Sequence, residues 1–130
     1  NVYIGHNTIL KGYHKNEMVI GEGTWIGQQC FFHSAGGIKI GKNIGIGPGV
    51  KILTSYHKDT NTTIPILHEE IEFKPVIIED DSDLGVNSVI MPGVTIRRGT
   101  QVGAGAVVTK DFPEYSIIAG VPAKLIRMRK

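Results

Sequence analysis

This chain of 130 residues has little of several features that usually define a class of function. It contains one cysteine, Cys30, which excludes an internal disulfide framework and favours a reducing compartment, the cytoplasm. Its formal net charge is only +2, too small to indicate nucleic acid as a main partner. No apolar run approaches the ~20 residues that span a bilayer, and no signal peptide opens the chain. The length and composition therefore favour one domain over residues 1–130.

Glycine is abundant, with 17 residues, and it accompanies a strict six-residue repeat. In the second half of the chain the aliphatic positions are Ile78, Leu84, Ile90, Ile96, Val102 and Val108. The same spacing joins Ile4 with Leu10, then Ile20, Ile26 and Phe32, then Ile40, Ile46 and Ile52. Glycine often follows the aliphatic residue directly, and a small residue such as Thr24 or Ala106 stands four positions after it.

The period decides the secondary structure. On a helix, six residues turn through about 600°, so the aliphatic residues would form no common face, whereas on a strand positions six apart point the same way. The repeat therefore predicts a solenoid of short parallel strands, with about 18 residues in each triangular coil and the aliphatic residues stacked inside. Breaks in the spacing predict insertions at residues 12–17, 34–37 and 58–75. Residues 111–130 are predicted to cap the last coil, with a short helix as one expectation for the basic end, Ala123 to Lys130.

This pattern resembles the hexapeptide-repeat acyltransferases, whose fold is a left-handed parallel β-helix. The segments Ile52 to His57, Val102 to Lys110 and Ala119 to Lys124 are similar to the branch that includes the galactoside, maltose and polysaccharide-sugar O-acetyltransferases. The resemblance implies an acetyltransferase that uses acetyl-CoA and a sugar-type acceptor, without a metal. It also implies a homotrimer with active sites between subunits, for which the outward-facing Trp25 and Phe31 are candidate interface residues.

His57 matches the catalytic histidine of that family, and its chemistry suits the role. A thioester is already an activated donor, so transfer needs mainly a base for the acceptor's proton, and histidine has a reference pKa near 6.5. The partner that orients its ring is left open between Asp59, a loop glutamate and a backbone carbonyl. His33 is expected on the same face, one coil away. With His33, the predicted acceptor-binding residues are Gln28, Gln29, Ser34 and Tyr56. Cys30 occupies an inward position and is not expected to be a nucleophile.

Coenzyme A binding is implied for a further set of residues. Gly85 and Val86 would line the thioester end, and Ala104 and Gly105 would lie along the pantetheine arm. The remaining predicted cofactor-binding residues are Thr109, Lys110, Lys124 and Arg127, whose basic members would meet phosphates. Two alternatives stay open: a zinc protein resembling the γ-class carbonic anhydrases, and a non-catalytic trimeric binding scaffold. The acceptor's identity, the choice between O- and N-acylation and the length of the acyl group are open as well.

Overall fold

Three faces of short parallel strands form the sides of a triangular prism, and successive coils stack along its axis. The structure is a computed structural model and describes residues 1–130. Face A consists of β1 (Tyr3–Ile4), β4 (Trp25–Ile26), β7 (Gly45–Ile46), β12 (Asp83–Leu84), β15 (Gln101–Val102), β17 (Ser116–Gly120) and β18 (Ala123–Met128). Face B consists of β2 (Ile9–Lys11), β5 (Phe31–His33), β8 (Lys51–Leu53), β13 (Val89–Ile90) and β16 (Val107–Val108). Face C consists of β3 (Met18–Ile20), β6 (Ile38–Ile40), β11 (Val76–Ile78) and β14 (Thr95–Ile96).

The aliphatic repeat lies inside the prism, which confirms the predicted β-helix. Each repeat residue pairs with its counterpart one coil away, as Ile26 does with Ile46 and Leu84 with Val102. From Ile26 to Val108 the inward aliphatic and small residues are at most 2% exposed. Ile4 and Leu10 in the first coil are 44% and 37% exposed, since no coil lies below them. Outside the prism, Trp25 is 44% exposed and stacks on Tyr3, with ring centroids 5.4 Å apart.

The glycines that directly follow the aliphatic residue serve close stacking of the coils rather than turn conformation. A Cβ added to Gly27 would lie 2.6 Å from the nitrogen of Pro48, and one added to Gly85 would lie 2.6 Å from the nitrogen of Ala104. The left-handed backbone instead occurs three positions after the inward residue, at Asn7, Gly23, Gln29, Asn43, Gly49, Asp81, Asn87, Gly93, Gly99 and Gly105. Asparagine, aspartate and glycine are the residues that most readily adopt it.

The three predicted insertions all follow strands of face B, and therefore leave the prism at the corner between faces B and C. Residues 12–17 and 34–37 are short loops, as expected. The third insertion is a β-hairpin of β9 (Ser55–His57) and β10 (Ile71–Phe73) rather than one irregular loop. A hydrogen bond from Lys74 N to Thr54 O, 2.9 Å, closes its base. The residues that connect β9 and β10 contain a 3-10 turn at Ile66–His68.

No helix in the structure has the length and apolar character needed to cross a bilayer.

The expectation of a C-terminal helix is wrong. Residues Ala123–Met128 form β18, which pairs antiparallel with β17 across a turn at Val121 and Pro122. Strand β17 would otherwise be the free edge of face A, and its unpaired backbone groups favour a strand beside it. An isolated helix of only six residues would be marginally stable. The segment covers the edge of β17.

Core burial makes a direct prediction about stability. Replacing Ile90, which is 0% exposed, with alanine should lower the free energy of unfolding by about 2–5 kcal/mol, since the packed coils cannot collapse into the cavity. Ile66→Ala is the matched control, because Ile66 is 60% exposed in the hairpin loop and should change stability by less than about 0.5 kcal/mol. Denaturant unfolding of both variants measures the difference. Equal losses would contradict the assignment of the repeat to the core.

Candidate active site

The hairpin presents His57 at the corner between faces B and C, on a regular pair of strands. Strand alternation places Ser55 and His57 on one side of β9, opposite Phe73 and Ile71 of β10. The ring Nδ1 of His57 lies 3.2 Å from the backbone carbonyl oxygen of Glu69. Because a carbonyl can only accept, Nδ1 is the donor and Nε2 of the neutral ring keeps its lone pair. Of the three orienting partners left open by the sequence, the structure selects a backbone carbonyl.

His57 lines a pocket of about 470 Å³, formed where the three insertions meet. We call it the His57 pocket; its lining residues are Tyr13, His14, Lys15, His33, Ala35, Ser55, His57, Ile71 and Phe73. Its size is within the range of small-molecule sites, about 300–1,000 Å³. Sequence reasoning brought His33 to this place but missed Tyr13, His14, Lys15, Ile71 and Phe73. All three insertions follow the same side of the triangular coil. This shared position in the repeat could have predicted that their residues meet.

Hydrogen bonds fasten the rim of the pocket to the prism. The hydroxyl of Tyr13 lies 2.8 Å from His33 Nε2, and Asn16 Nδ2 donates to the carbonyl of Ala35 at 2.6 Å. At the base of the hairpin loop, Lys58 Nζ donates to Glu70 Oε2 at 2.9 Å. This exposed ion pair raises the pKa of Lys58 and lowers the pKa of Glu70.

Four residues predicted to bind the acceptor lie outside the pocket. Ser34 is 0% exposed and its hydroxyl donates to the carbonyl of Lys11, so its role is to close the turn. Tyr56 points to the opposite side of β9, where Lys74 Nζ lies 5.6 Å from the ring centroid. Gln28 and Gln29 occupy the corner between faces A and B, at the far end of face B from His57. The resemblance could not reveal this, because it gave positions along the chain and not their corners.

The predicted pantetheine residues form a continuous strip along the corner between faces A and B. We call Gly85, Val86, Ala104 and Gly105 the corner strip. The amide of Gly105 donates to the carbonyl of Val86 at 2.8 Å, which stacks the two turns directly. Neither the amide nor the carbonyl of Ala104 makes a hydrogen bond within the chain, and the amide of Val86 makes none. A Cβ added to Gly105 would have nothing within 4 Å, so the strip is open and offers unused backbone groups.

The remaining predicted cofactor residues divide between two places. Thr109 and Lys110 follow β16 and therefore belong to the corner between faces B and C, the corner of His57. Lys124 and Arg127 lie on β18, opposite Ala119 and Ile117 of β17, and are exposed. One side of the prism, about six residues or roughly 20 Å of extended chain, separates the corner strip from the His57 corner. Within one chain the predicted site is thus split between two corners.

Two further ionisable groups bear on the chemistry. Burial raises the pKa of the Cys30 thiol, whose sulfur lies 3.4 Å from the carbonyl oxygen of Gly27, so the reactive thiolate is disfavoured as the sequence indicated. Asp83 lies directly before the corner strip, above Gly45, and loss of hydration raises the pKa of its carboxyl. No group of three or more histidine, cysteine, aspartate or glutamate side chains within the chain is arranged to hold a metal ion.

Comparison with known proteins agrees with this geometry. A family model described as the hexapeptide repeat of succinyl-transferase matches residues 75–110. A hexapeptide-repeat acetyltransferase of Vibrio cholerae, solved in complex with acetyl coenzyme A, is 31% identical with a TM-score of 0.81; the match covers 98% of this chain and 71% of that one. The chain belongs to the hexapeptide-repeat acyltransferases.

Other members of the hexapeptide-repeat acyltransferases are similar over most of the chain. A maltose O-acetyltransferase of Clostridium difficile is 28% identical with a TM-score of 0.86, over 100% of this chain and 67% of that one. A Schizosaccharomyces pombe protein, named as a candidate acetyltransferase, is 40% identical over 99 residues, which are 75% of this chain and 46% of that protein. The chain spans less than half the length of the curated relatives it matches.

The hydrogen bond to Glu69 predicts the tautomer of His57. In its neutral form His57 should carry the ring proton on Nδ1, because the carbonyl oxygen holds it there. Long-range ¹H–¹⁵N correlation spectra of histidine-labelled protein would report an unprotonated Nε2 for His57. His6, an exposed histidine in the first coil at the corner between faces A and B, provides the reference pattern. A proton on Nε2 of neutral His57 would contradict the orientation described above.

Proposed function

We propose that this chain is the catalytic β-helix of an acyltransferase that transfers acetyl from acetyl-CoA to a hydroxyl or amine of a sugar-type acceptor. The observation that carries the proposal is the orientation of His57. Its Nδ1 is held by the Glu69 carbonyl and its Nε2 is free, beside a pocket of small-molecule size. Acetyl-CoA as donor is supported by the Vibrio cholerae relative, and a sugar acceptor by the maltose O-acetyltransferase. Cytoplasmic location, expected from the single buried thiol, stays a prediction.

The reaction needs one base and no covalent enzyme intermediate. Nε2 of His57 accepts the proton of the acceptor hydroxyl or amine while the oxygen or nitrogen attacks the thioester carbonyl carbon. The new C–O or C–N bond forms, the C–S bond breaks, and the coenzyme A thiolate takes the proton from the imidazolium. The carbonyl oxygen becomes negative during attack and needs a donor. Of the two residues expected at the thioester end, Gly85 has its amide committed to the Val102 carbonyl at 2.8 Å, so the free amide of Val86 fits this role.

The corner strip suits the thin arm of the cofactor. Pantetheine carries two amide groups, and Ala104 offers a free amide and a free carbonyl within a surface that lacks large side chains. The cationic groups of Lys110, Lys124 and Arg127 fit phosphates, and arginine in particular can bind them through two parallel hydrogen bonds. We therefore assign binding of the donor to the corner strip and binding of the acceptor to the His57 pocket.

A homotrimer would complete the site. His57, Thr109 and Lys110 lie at one corner of the prism and the corner strip at another, so a single chain cannot bring the thioester to Nε2. A second copy whose corner strip lies against the His57 corner of the first would do so. Three such contacts close a ring, as heterologous interfaces do when the rotation closes.

Removing the base tests the function. His57→Ala should lower kcat/KM for acetyl transfer by about 10²- to 10⁴-fold with little change in melting temperature, since only the proton acceptor is lost. His6→Ala is the control and should keep full activity. Thiol release from acetyl-CoA, measured with a panel of sugar and amino-sugar acceptors, is the assay. A loss well below tenfold in a folded His57→Ala variant would remove His57 from this role.

Filling the corner strip tests the donor site. Ala104→Phe should weaken coenzyme A binding by at least about tenfold, roughly 1.4 kcal/mol, because the ring occupies the path of the pantetheine arm. Lys42→Phe adds the same ring at an exposed turn between faces C and A and should leave binding unchanged. Isothermal titration calorimetry with coenzyme A measures both. Unchanged affinity in Ala104→Phe would show that the arm follows another path.

A further inference from the structure

We propose that the His57 pocket selects acceptors that carry an anionic group, a phosphate or a carboxylate, and that Lys15 binds that group. The inference rests on the proposed function, since it names the chemical class of the acceptor for the same site. It follows from the charges that the three insertions bring to the pocket, from the way Lys15 is held, and from the apolar residues that line the same pocket.

The ionisable lining of the pocket is cationic or neutral. It comprises the Lys15 ammonium, the rings of His14, His33 and His57, and the Tyr13 hydroxyl, while Ala35 adds no charge. An anion bound beside Lys15 would be attracted by its ammonium group and could accept a hydrogen bond from the ring of His14. A neutral acceptor would gain nothing from the ammonium.

The three glutamate carboxylates of the hairpin are directed elsewhere. Glu72 pairs with Tyr56 on the side of the hairpin that faces away from the pocket. The carboxylate of Glu70 accepts from Lys58 Nζ, and that of Glu69 accepts from the Asn61 amide at 3.0 Å. The hairpin thus contributes histidine and apolar groups to the pocket and keeps its three glutamate side chains outside it.

Lys15 is held at the rim although its side chain is exposed. The turn before it is fixed by the Ser34 hydroxyl, which donates to the Lys11 carbonyl at 2.9 Å, and by the contact between Tyr13 and His33. The turn after it is fixed by Asn16, which donates to the Ala35 carbonyl. The ion pairs of the protein involve Lys42, Lys58, Arg97 and Arg98, so the Lys15 ammonium has no carboxylate partner. Its backbone is therefore positioned while its charge stays available to a ligand.

The apolar and aromatic lining of the pocket provides a surface for the body of the acceptor. Ile71 and Phe73 are 48% and 54% exposed on the pocket side of the hairpin, and the Tyr13 ring is tilted against His33 with centroids 5.1 Å apart. A sugar ring placed against Phe73 would have its anionic group near Lys15 and its reacting hydroxyl or amine near His57. Three contacts of different kinds would then fix its orientation.

Matched pairs of acceptors test the inference. Acetyl transfer would be measured with glucosamine against glucosamine 6-phosphate, and with galactose against galacturonate. We expect kcat/KM to be at least about tenfold higher for the anionic member of the preferred pair, as a charge-assisted contact implies. The preference should decrease when the ionic strength rises from about 50 to about 500 mM.

Lys15→Gln should raise KM for the anionic acceptor about tenfold, and the preference for the anionic member of the pair should be lost. Lys39→Gln is the control, because it removes an exposed lysine from face C, outside the His57 pocket. A second readout needs no turnover: glucosamine 6-phosphate or galacturonate should raise the melting temperature of the wild-type protein and of Lys39→Gln more than that of Lys15→Gln.

The outcomes separate the two proposals. Transfer without preference for either anionic acceptor, or a preference that survives in Lys15→Gln, overturns the anion site and leaves the acyltransferase proposal standing. Thermal stabilisation that depends on Lys15, without any transfer from acetyl-CoA, supports the anion site and contradicts the proposed function. Neither transfer nor stabilisation overturns both. A preference for the phosphate but not the carboxylate member, lost in Lys15→Gln, identifies a phosphorylated acceptor.

Discussion

The rest of the structure depends on one contact, the main-chain hydrogen bond that each repeat glycine donates to the coil above it. Gly27 donates to Ile46, Gly47 to Leu84, Gly85 to Val102 and Gly103 to Ile118, each at 2.8 Å. Glu79 makes the same bond to Ile96 at 2.8 Å, so the bond itself does not require glycine. At Gly27 and Gly85, however, an added Cβ would lie 2.6 Å from the backbone of the next coil, so these turns can stack only without a side chain. Each strand must pair in register with the strand of the neighbouring coil. The six-residue spacing is therefore kept everywhere except where the chain leaves the prism.

That constraint explains which parts of the fold could be predicted from sequence. The ladder from Ile78 to Val108 could be predicted because a period of six has one solution that buries every member. The hairpin could not, because residues 54–75 carry no repeat and the pairing of His57 with Ile71 arises only when both strands are present. The carbonyl of Glu69, which orients His57, has no sequence signature at all, since every residue carries the same group.

The C-terminal segment and the pocket illustrate two other limits. Residues Ala123–Met128 are basic and short, and local reasoning about them suggests a helix, but the open edge of β17 decides in favour of a strand. Tyr13 and Lys15 are distant from His57 in sequence, yet the pocket contains all three. Their proximity could have been predicted from the sequence, because all three insertions follow the same side of the triangular coil. A residue-by-residue comparison with a family does not use that phase, because it treats each insertion separately.

The fold also explains why the proposed site divides between two corners. Ladders of Ile, Val and Leu fill the interior of the prism, so a cofactor can bind only on the outside. Each face is a nearly flat sheet, and the corners are where turns expose unused amides, as at Val86 and Ala104. On the proposed function, the groove for coenzyme A lies between two corners that face each other, and one convex prism does not supply such a pair. On the proposed function, assembly is part of the catalytic machinery: one copy supplies the base and the acceptor pocket, and the next supplies the strip that holds the donor.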